Sequence, residues 1–303
     1  MGDQKTGDQE GDDMAQLEAD GPNAEQIEYW NEVSGERWVE MGDVIDAQIS
    51  PLGGVAMDRA RIESGERVLD IGCGCGQTTL ELAARVGESG SVLGLDISGP
   101  MLARARDRAT EANVTNARFQ QADAQTHRFD ASDMDLVFSR FGVMFFASPV
   151  EAFTNILSAL RPGGRLAFVC WQALDRNPWM HLPMVAAAKH LPPAGPPPEP
   201  GAPGPFSFAD QERVKAILSD SGFQNIQQES LERDLLVGGG RSLDDTVEFL
   251  AQLGPAGAML RDASQDLKTR VLNEIHETIK PFNDKGGVRM PSATWIVSAE
   301  RSS

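Results

Sequence analysis

The segment Arg67–Gly76, RVLDIGCGCG, determines the predicted fold. Its first half, Arg67–Ile71, is a short apolar run ended by glycines, which is typical of a buried strand. The glycines that follow allow a sharp turn from strand to helix. Because they have no Cβ atom, they also let a ligand lie against the backbone. We therefore predict that a cofactor binds at this turn.

Strands and helices alternate on the carboxyl side of this segment. The predicted strands are Arg67–Ile71, Ser91–Leu95, Ala117–Gln121, Met134–Ser139 and Arg165–Trp171. The predicted helices between them are Thr78–Val86, Pro100–Ala112 and Pro149–Leu160. This alternation implies right-handed β-α-β crossovers and a parallel sheet, so the predicted fold class is α/β, doubly wound.

The amino-terminal 60 residues are predicted to form two regions. Residues 1–25 carry eight acidic side chains against the single Lys5. This composition has too little apolar surface to offset the entropy of the chain, so we predict a disordered acidic tail. Residues 26–60 have apolar positions at helical spacing, and we predict N-terminal helices that cover the cofactor.

Residues 61–303 are predicted to form one domain that includes a helical cap. The cap helices are expected at about 178–191 and 243–279. The proline-rich stretch 192–205 reads as a semi-rigid surface connection. Two further strands, Gln228–Val237 and Ala293–Ala299, are expected to complete the sheet.

Composition limits the partners of this 303-residue chain. Its net charge is −18, and an acidic surface without a Lys/Arg cluster repels phosphate backbones, so no nucleic-acid partner is expected. The acidity fits either a saline habitat or a need for solubility. The start lacks the features of a signal peptide, and no apolar stretch reaches the ~20 residues of a membrane span. We predict a cytoplasmic protein that does not bind membranes, and homo-oligomerisation remains open.

The spacing of the glycines separates two classes of cofactor. A dinucleotide fingerprint G-x-G-x-x-G requires glycine at position 77 or 79, where the chain has Gln77 and Thr79. The spacing is instead D-x-G-x-G-x-G, beginning at Asp70. The Asp70 carboxylate would repel a pyrophosphate and attract an ammonium group, directly or through water.

Two more acids end strands of the predicted sheet. Asp96 follows the second strand and is suited to the two hydroxyls of a ribose. Asp123 follows the third strand and is suited to an adenine amino group, with the backbone N–H of Ala124 reaching a ring nitrogen. Ile97 and Met101 would supply apolar faces for the purine. A single acid at a strand end is often only a helix cap, but three at successive strand ends favour an adenosyl ligand.

Four segments, VLDIGCGCG, LGLDIS, QADAQ and LRPGGRL, resemble the ordered motifs of class I S-adenosylmethionine-dependent methyltransferases. The nearer resemblance is to the branch with the ubiquinone and menaquinone biosynthesis methyltransferases, and it covers residues 60–172. It implies S-adenosyl-L-methionine as the cofactor. It also implies a Rossmann-like methyltransferase fold over residues 61–303, with a mostly parallel seven-stranded sheet that ends with the antiparallel strand Ala293–Ala299.

The resemblance also implies roles for individual residues. Gly72, Gly74 and Gly76 approach the methionine moiety, and Ser139 lies near its amino acid end. Asp96 binds the ribose, and Asp123 with Ala124 binds the adenine.

Methyl transfer from a sulfonium needs alignment more than acid–base help. Candidates for the acceptor side are Arg140, which has either a substrate role or a structural ion pair, and two histidines. His127 is a base, a packing residue or a residue near the cofactor, and His181 would reach the acceptor pocket from a lid helix. Trp30 and Trp38 either fold over the cofactor or simply pack. No metal is expected, because Cys73 and Cys75 suit a tight turn rather than a ligand set.

The leading functional prediction is methyl transfer by in-line displacement to a small-molecule acceptor. Two alternatives remain open. One is a cofactor-binding sensor or scaffold without turnover. The other is a protein or RNA methyltransferase, which would be expected to bring a recognition domain or a basic groove.

Overall fold

The computed structural model describes residues 17–129, 132–193, 195, 199 and 201–303. The strands are β1 (Arg67–Ile71), β2 (Ser91–Asp96), β3 (Ala117–Gln121), β4 (Met134–Arg140), β5 (Leu160–Trp171), β6 (Gln224–Val237), β7 (Asn283–Asp284) and β8 (Gly287–Glu300). The α-helices are α1 (Ala24–Glu28), α2 (Gly35–Ala60), α3 (Gln77–Val86), α4 (Gly99–Glu111), α5 (Pro149–Ala159), α6 (Pro178–Ala188), α7 (Gln211–Asp220), α8 (Leu243–Leu250), α9 (Gly254–Leu260) and α10 (Gln265–Ile279).

The strands form one sheet in the order β3-β2-β1-β4-β5-β8-β6, with β7 paired to β8. Strands β1 to β5 are parallel. Strand β1 has four consecutive buried residues, as expected for a central parallel strand covered on both faces. Every strand and helix predicted between residues 67 and 171 is present. The largest difference is β5, which begins at Leu160 rather than Arg165.

Helices cover both faces of the sheet. Helix α2 contacts α3 and α4, whereas α5 contacts α7 instead. Because α2 and α5 both contact β5 but belong to separate helix groups, they lie on opposite sides of it. The predicted doubly wound α/β fold class is confirmed.

The position of the last strand corrects one expectation. Strand β8 begins at Gly287 rather than Ala293, and it lies between β5 and β6 instead of at the edge of the sheet. It is antiparallel to both neighbours. Val237, at the end of β6, pairs with Val288 at the start of β8. The chain therefore re-enters the sheet at the end where β6 finishes, and it must run in the opposite direction.

The amino-terminal boundary also differs from the prediction. Residues 1–16 of the predicted tail 1–25 lie outside the described residues. The end of that tail is docked, because Asn23 is only 3% exposed and α1 begins at Ala24. The predicted N-terminal helices are divided by a π-helical turn, Tyr29–Val33.

The cap consists of four helices near the carboxyl ends of the strands. Helix α6 contacts α9 and α10, and α10 in turn contacts α8. The predicted cap segments 178–191 and 243–279 therefore contain helices, with the second divided into three. Part of the proline-rich stretch 192–205 lies outside the described residues. Within the described part of the chain, no helix is long and apolar enough to cross a membrane.

Candidate active site

A cavity of about 330 Å³ opens at the carboxyl ends of the strands. Its lining includes residues that follow β1 and β4, between which the strand order reverses. Doubly wound sheets bind ligands at this reversal. Helix α2, the π-helical turn and helix α9 supply the opposite wall.

Two ends of the cavity have different chemistry. The loop end is formed by the turns after β1, β2 and β3, with Gly72, Gly74, Asp96, Ile97, Met101, Asp123 and Ala124. The aromatic end is formed after β4 and β5 and by the cap, with Phe141, Trp171, Trp179, Met180, Phe249 and Leu253. Because β2 and β5 lie on opposite sides of the β1–β4 pair, the two ends face each other along the sheet edge.

The glycine loop owes its shape to close backbone packing. Gly72 has φ of +67°, and a Cβ atom built on it would lie 2.6 Å from the Cα atom of Gly142. The backbone N–H of Gly72 donates to the carbonyl of Leu95 at 2.8 Å. The Ser139 hydroxyl donates to the carbonyl of Ile71 at 2.7 Å and accepts from the N–H of Gly142 at 3.2 Å. Ser139 thereby holds the β1 and β4 loops together, and it does not line the cavity.

Gly76 has a packing role that differs from the expectation. A Cβ atom on Gly76 would lie 2.8 Å from the Cβ of Ala105 and 3.2 Å from the ring of Phe119. The absence of a side chain lets helix α3 start against helix α4 and strand β3. Gly76 does not line the cavity, whereas Gly72 and Gly74 do.

Asp96 ties the glycine loop to the β2 turn. Its Oδ2 accepts from the N–H of Gly74 at 2.8 Å, and its Oδ1 accepts from the N–H of Ser98 at 2.9 Å. Burial raises the pKa of the Asp96 carboxyl, and these backbone N–H groups work against that rise. The carboxylate lines the cavity and retains lone pairs for further donors.

Asp123 is held by a residue that the sequence did not reveal. The side-chain amide of Asn23 donates to both carboxylate oxygens, at 3.0 and 2.9 Å. The N–H of Gln125 donates to Oδ1 at 2.9 Å. Asn23 is joined to the β4–α5 connection as well, because its Oδ1 accepts from the N–H of Ala147 at 2.8 Å. The amino-terminal segment is thus part of the loop end.

Two more contacts fix this segment above the β2–α4 turn. The amide of Asn31 donates to the carbonyl of Ile97 at 2.9 Å, and its oxygen accepts from the N–H of Gly99 at 2.9 Å. The hydroxyl of Ser98 donates to the carbonyl of Trp30 at 2.9 Å. Trp30 packs edge-on against Trp38 with ring centroids 5.5 Å apart. Both tryptophans line the cavity, and their role over the cofactor stays a prediction.

Arg140 lies in an ion-pair network. Its guanidinium donates to Asp46 Oδ1 at 2.7 Å and to Gln77 Oε1 at 2.5 Å. The other oxygen of Asp46 accepts from Arg108 at 2.8 Å, and Arg108 also donates to the carbonyl of Cys75 at 3.1 Å. The network joins helix α2 to the glycine loop. Arg140 lines the cavity and its charge is paired with Asp46. The structure therefore shows the ion pair, and a substrate role stays a prediction.

The two candidate histidines lie outside the cavity wall. His181 is on helix α6, and His127 packs edge-on against Phe129 with centroids 5.0 Å apart. Neither lines the cavity. Within the described ranges, no group of three or more His, Cys, Asp or Glu side chains is arranged to hold a metal ion.

Comparison with known proteins identifies the family. A methyltransferase domain family matches residues 68–164. A ubiquinone/menaquinone biosynthesis C-methyltransferase of Pseudomonas paraeruginosa is 31% identical over 183 residues, which cover 54% of this chain and 68% of that protein. The chain belongs to the class I S-adenosylmethionine-dependent methyltransferases. S-adenosylmethionine is the cofactor that this membership assigns to it.

Two other comparisons concern a second curated relative and a solved structure. An aklanonic acid methyltransferase of Streptomyces sp. strain C5 is 40% identical over 119 residues, or 39% of the chain. The match spans only 54% of that relative's length. The crystal structure of the YcgJ protein from Bacillus subtilis superposes with a TM-score of 0.55 at 18% identity, covering 83% of this chain and 98% of that one. This last likeness shows a shared fold.

The surroundings of Asp70 determine whether its carboxylate can attract a cationic ligand in the glycine loop. Its Oδ2 accepts from the hydroxyl of Thr79 at 2.6 Å, while its Oδ1 is buried without a hydrogen-bond partner in the described structure. Burial raises the pKa of the Asp70 carboxyl to about 7. Asp70 lies behind the loop and does not line the cavity. Any effect on a ligand therefore passes through the glycine loop or a water molecule.

Proposed function

We propose that this chain transfers the methyl group of S-adenosylmethionine to a small-molecule acceptor held at the aromatic end of the cavity. The observation that carries the proposal is the juxtaposition of the two ends in one cavity. A loop end with two strand-end carboxylates suits the adenosyl group, and an aromatic end suits an apolar acceptor. The names of the relatives, an aklanonic acid methyltransferase and a quinone-biosynthesis C-methyltransferase, are consistent with small acceptors.

Each residue of the loop end has a proposed task in holding the cofactor. Gly72 and Gly74 leave room for the methionine portion against the backbone. Asp96 accepts from the ribose hydroxyls, and Asp123 with the N–H of Ala124 recognises the adenine. Ile97 and Met101 pack on the faces of the purine. The bound cofactor supplies an electrophilic methyl group on a sulfonium, and the chain's contribution is to align the acceptor with it.

The aromatic end excludes water and positions the acceptor. The rings of Phe141 and Trp171 stack with centroids 4.2 Å apart. The ring centroid of Trp179 lies 5.3 Å from that of Trp171. Trp30 and Trp38 close the cavity on the helix side. In-line approach to a pre-aligned methyl group supplies roughly 7–11 kcal/mol of the barrier reduction. No proton-transfer residue is needed for that contribution.

A cytoplasmic setting is part of the proposal. Its support is that Cys73, Cys75 and Cys170 are all free thiols and all buried. Such unpaired cysteines fit a reducing compartment.

The test is transfer of labelled methyl from S-adenosylmethionine to a small-molecule extract, with Asp96→Ala as the impaired variant. We expect the substitution to weaken cofactor binding by about 1–3 kcal/mol in calorimetry, because it removes a charged acceptor. Asp107→Ala is the matched control, since Asp107 is an exposed aspartate of helix α4 and does not line the cavity. Unchanged affinity in Asp96→Ala would remove the ribose assignment. Absence of labelled product from every extract, with cofactor bound, would contradict turnover.

A further inference from the structure

The cavity is lined by hydrogen-bond donors that have no partner among the described residues. Arg37 and Arg261 both line the cavity and are exposed. Neither forms an ion pair or side-chain hydrogen bond with the residues that the structure describes. Most other arginines near the cavity are paired, as Arg108 and Arg140 are with Asp46.

A third donor comes from helix α2. Gln48 is 2% exposed and lines the cavity, and its Oε1 accepts from the N–H of Gly238 at 3.0 Å. That bond fixes the amide so that its oxygen faces Gly238. The amide nitrogen has no partner among the described residues. Because an amide nitrogen only donates, a ligand beside it must present an acceptor oxygen or nitrogen.

The acidic groups that line the cavity are already engaged. Within the described lining there is no glutamate, and the aspartates are engaged elsewhere. Both oxygens of Asp46 are held by arginines. Asp96 and Asp123 belong to the loop end and accept from backbone N–H groups. The two cysteines of the glycine loop do not supply an anion, since burial raises the pKa of Cys75 to about 11 and also raises the pKa of Cys73 well above its usual value.

The apolar wall of the aromatic end consists mainly of aromatic side chains. Phe141 and Trp171 stack nearly parallel, with an interplanar angle of 12°. Met180, Phe249 and Leu253 complete the apolar wall. Aromatic faces favour planar ring systems in offset-stacked or edge-on packing.

We propose that the methyl acceptor is a flat, apolar molecule bearing a carboxylate, and that Arg37 and Arg261 bind this carboxylate. The proposal rests on the function proposed above and specifies its acceptor. Guanidinium groups form short, charge-assisted and often bidentate hydrogen bonds with carboxylates. The donor-rich, acceptor-poor lining discriminates against an amine, because an ammonium group would meet two positive charges without a free anion.

The test measures binding of three matched probes to the protein saturated with S-adenosylhomocysteine. The probes are 2-naphthoate, its uncharged carboxamide, and the corresponding 2-naphthylmethylammonium, compared by calorimetry near pH 7. We expect the carboxylate to bind roughly 10- to 100-fold more tightly than the carboxamide, the scale of charge-assisted hydrogen bonds. Equal affinity for the acid and the amide, or tightest binding of the amine, would overturn the proposal.

Substitutions test which residues cause the preference for the carboxylate probe over the carboxamide. Arg37→Gln and Arg261→Gln are each expected to reduce the acid-to-amide ratio about 5- to 10-fold, and the double variant should bring it within about 2-fold of unity. Arg241→Gln is the matched control, because Arg241 is exposed, has no described partner and does not line the cavity. A ratio that survives the double substitution, in protein with an unchanged melting temperature, would overturn the assignment of these arginines.

The binding and transfer measurements together distinguish failure of the carboxylate-acceptor proposal from failure of the proposed methyltransferase function. If S-adenosylmethionine binds and labelled methyl is transferred while the carboxylate preference is absent, the acceptor class is wrong and the methyltransferase function stands. If neither S-adenosylmethionine nor S-adenosylhomocysteine binds, the proposed function itself fails, and the acceptor proposal falls with it.

Discussion

The loop end and the aromatic end of the cavity are built in different ways. The lining residues of the loop end that follow β1, β2 and β3 come from residues 71–124, a short stretch of chain. The aromatic end combines residues after β4 and β5 with others from helices α6, α8 and α9, spread over more than 100 positions. Adjacent parallel strands bring successive turns together automatically, whereas the aromatic end requires distant helices to dock.

The two ends also differ in what holds them. Backbone hydrogen bonds from Gly74 and Ser98 to Asp96 fix the loop end. Ring contacts such as Phe141 with Trp171 fix the aromatic end. Hydrogen bonds constrain direction, and apolar packing mainly constrains volume. We therefore expect the loop end to tolerate less change than the aromatic end.

Gly72→Ala should have the largest effect and would test that difference most severely. A Cβ atom at φ of +67° and 2.6 Å from the Cα of Gly142 introduces backbone strain and a clash. We expect a loss of about 2–5 kcal/mol in the free energy of unfolding, together with loss of detectable cofactor binding. Urea melts and calorimetry measure the two effects.

Gly54→Ala is the matched control for that prediction. Gly54 lies within helix α2, and a Cβ atom there would meet nothing within 4 Å. Alanine at an open helical position should raise stability by up to about 1 kcal/mol. If Gly72→Ala behaves like Gly54→Ala, the loop end is not held by close backbone approach.

Asp70→Asn should have the next largest effect, and it should depend on pH. The pKa of Asp70 is raised by burial to about 7 from a model-peptide value of 3.8. As the pH rises between these values, the unfolded chain releases its proton first, so stability falls and then levels off above pH 7. The Asp70→Asn variant has no carboxyl group at this position, so its stability does not fall for this reason.

The difference in unfolding free energy between the Asp70→Asn variant and the wild type should therefore increase from about pH 4 to pH 7, reaching on the order of 3 kcal/mol. Urea melts of the cofactor-free protein at several pH values give the curve. A gap that stays constant across this range would mean that Asp70 is ionised in the folded protein, and that the loop end already holds a negative charge behind its glycines.

Asn23→Ala should have the smallest effect of the three substitutions. It tests whether the amino-terminal segment belongs to the loop end. It removes the donor to both oxygens of Asp123 and the acceptor of the Ala147 N–H. We expect a loss of about 1–3 kcal/mol in unfolding free energy, since buried partners are left unpaired. Cofactor affinity should fall in parallel.

Asn273→Ala serves as the control, because Asn273 is an exposed residue of helix α10. Its stability should change by no more than about 0.5 kcal/mol. An equally small change in Asn23→Ala would place the amino-terminal segment outside the loop end.

Short-range patterns predicted most of the fold and of the loop end. The apolar run of β1, followed by glycines at Gly72 and Gly74, was sufficient to predict a ligand site at the strand end, and a cavity lies there. Asp96 was found because it directly follows a predicted strand, and Asp123 and Ala124 because they lie just beyond the end of the next one. Gly76 and Ser139 were found by resemblance, and the structure gives both a packing role that spacing alone does not distinguish from ligand contact.

Long-range contacts explain what the sequence did not reveal. Asn23 lies 100 positions from Asp123, and no local pattern links them. The histidines His127 and His181 are chemically suitable residues near strand ends, yet their side chains lie outside the cavity wall. Arg37 and Arg261 have no partner among the described residues, unlike Arg108 and Arg140, and no local pattern distinguishes the two pairs.

The sequence by itself determined the α/β alternation, the glycine turn and the acids at the strand ends, because hydrophobic periodicity and glycine backbone freedom act over a few residues. Only the tertiary structure decided that β8 inserts between β5 and β6, that Asn23 closes the loop end, and which arginines lack a partner within the described ranges. These features depend on which distant surfaces bury one another, and that choice minimises the free energy of the whole chain rather than of any one segment.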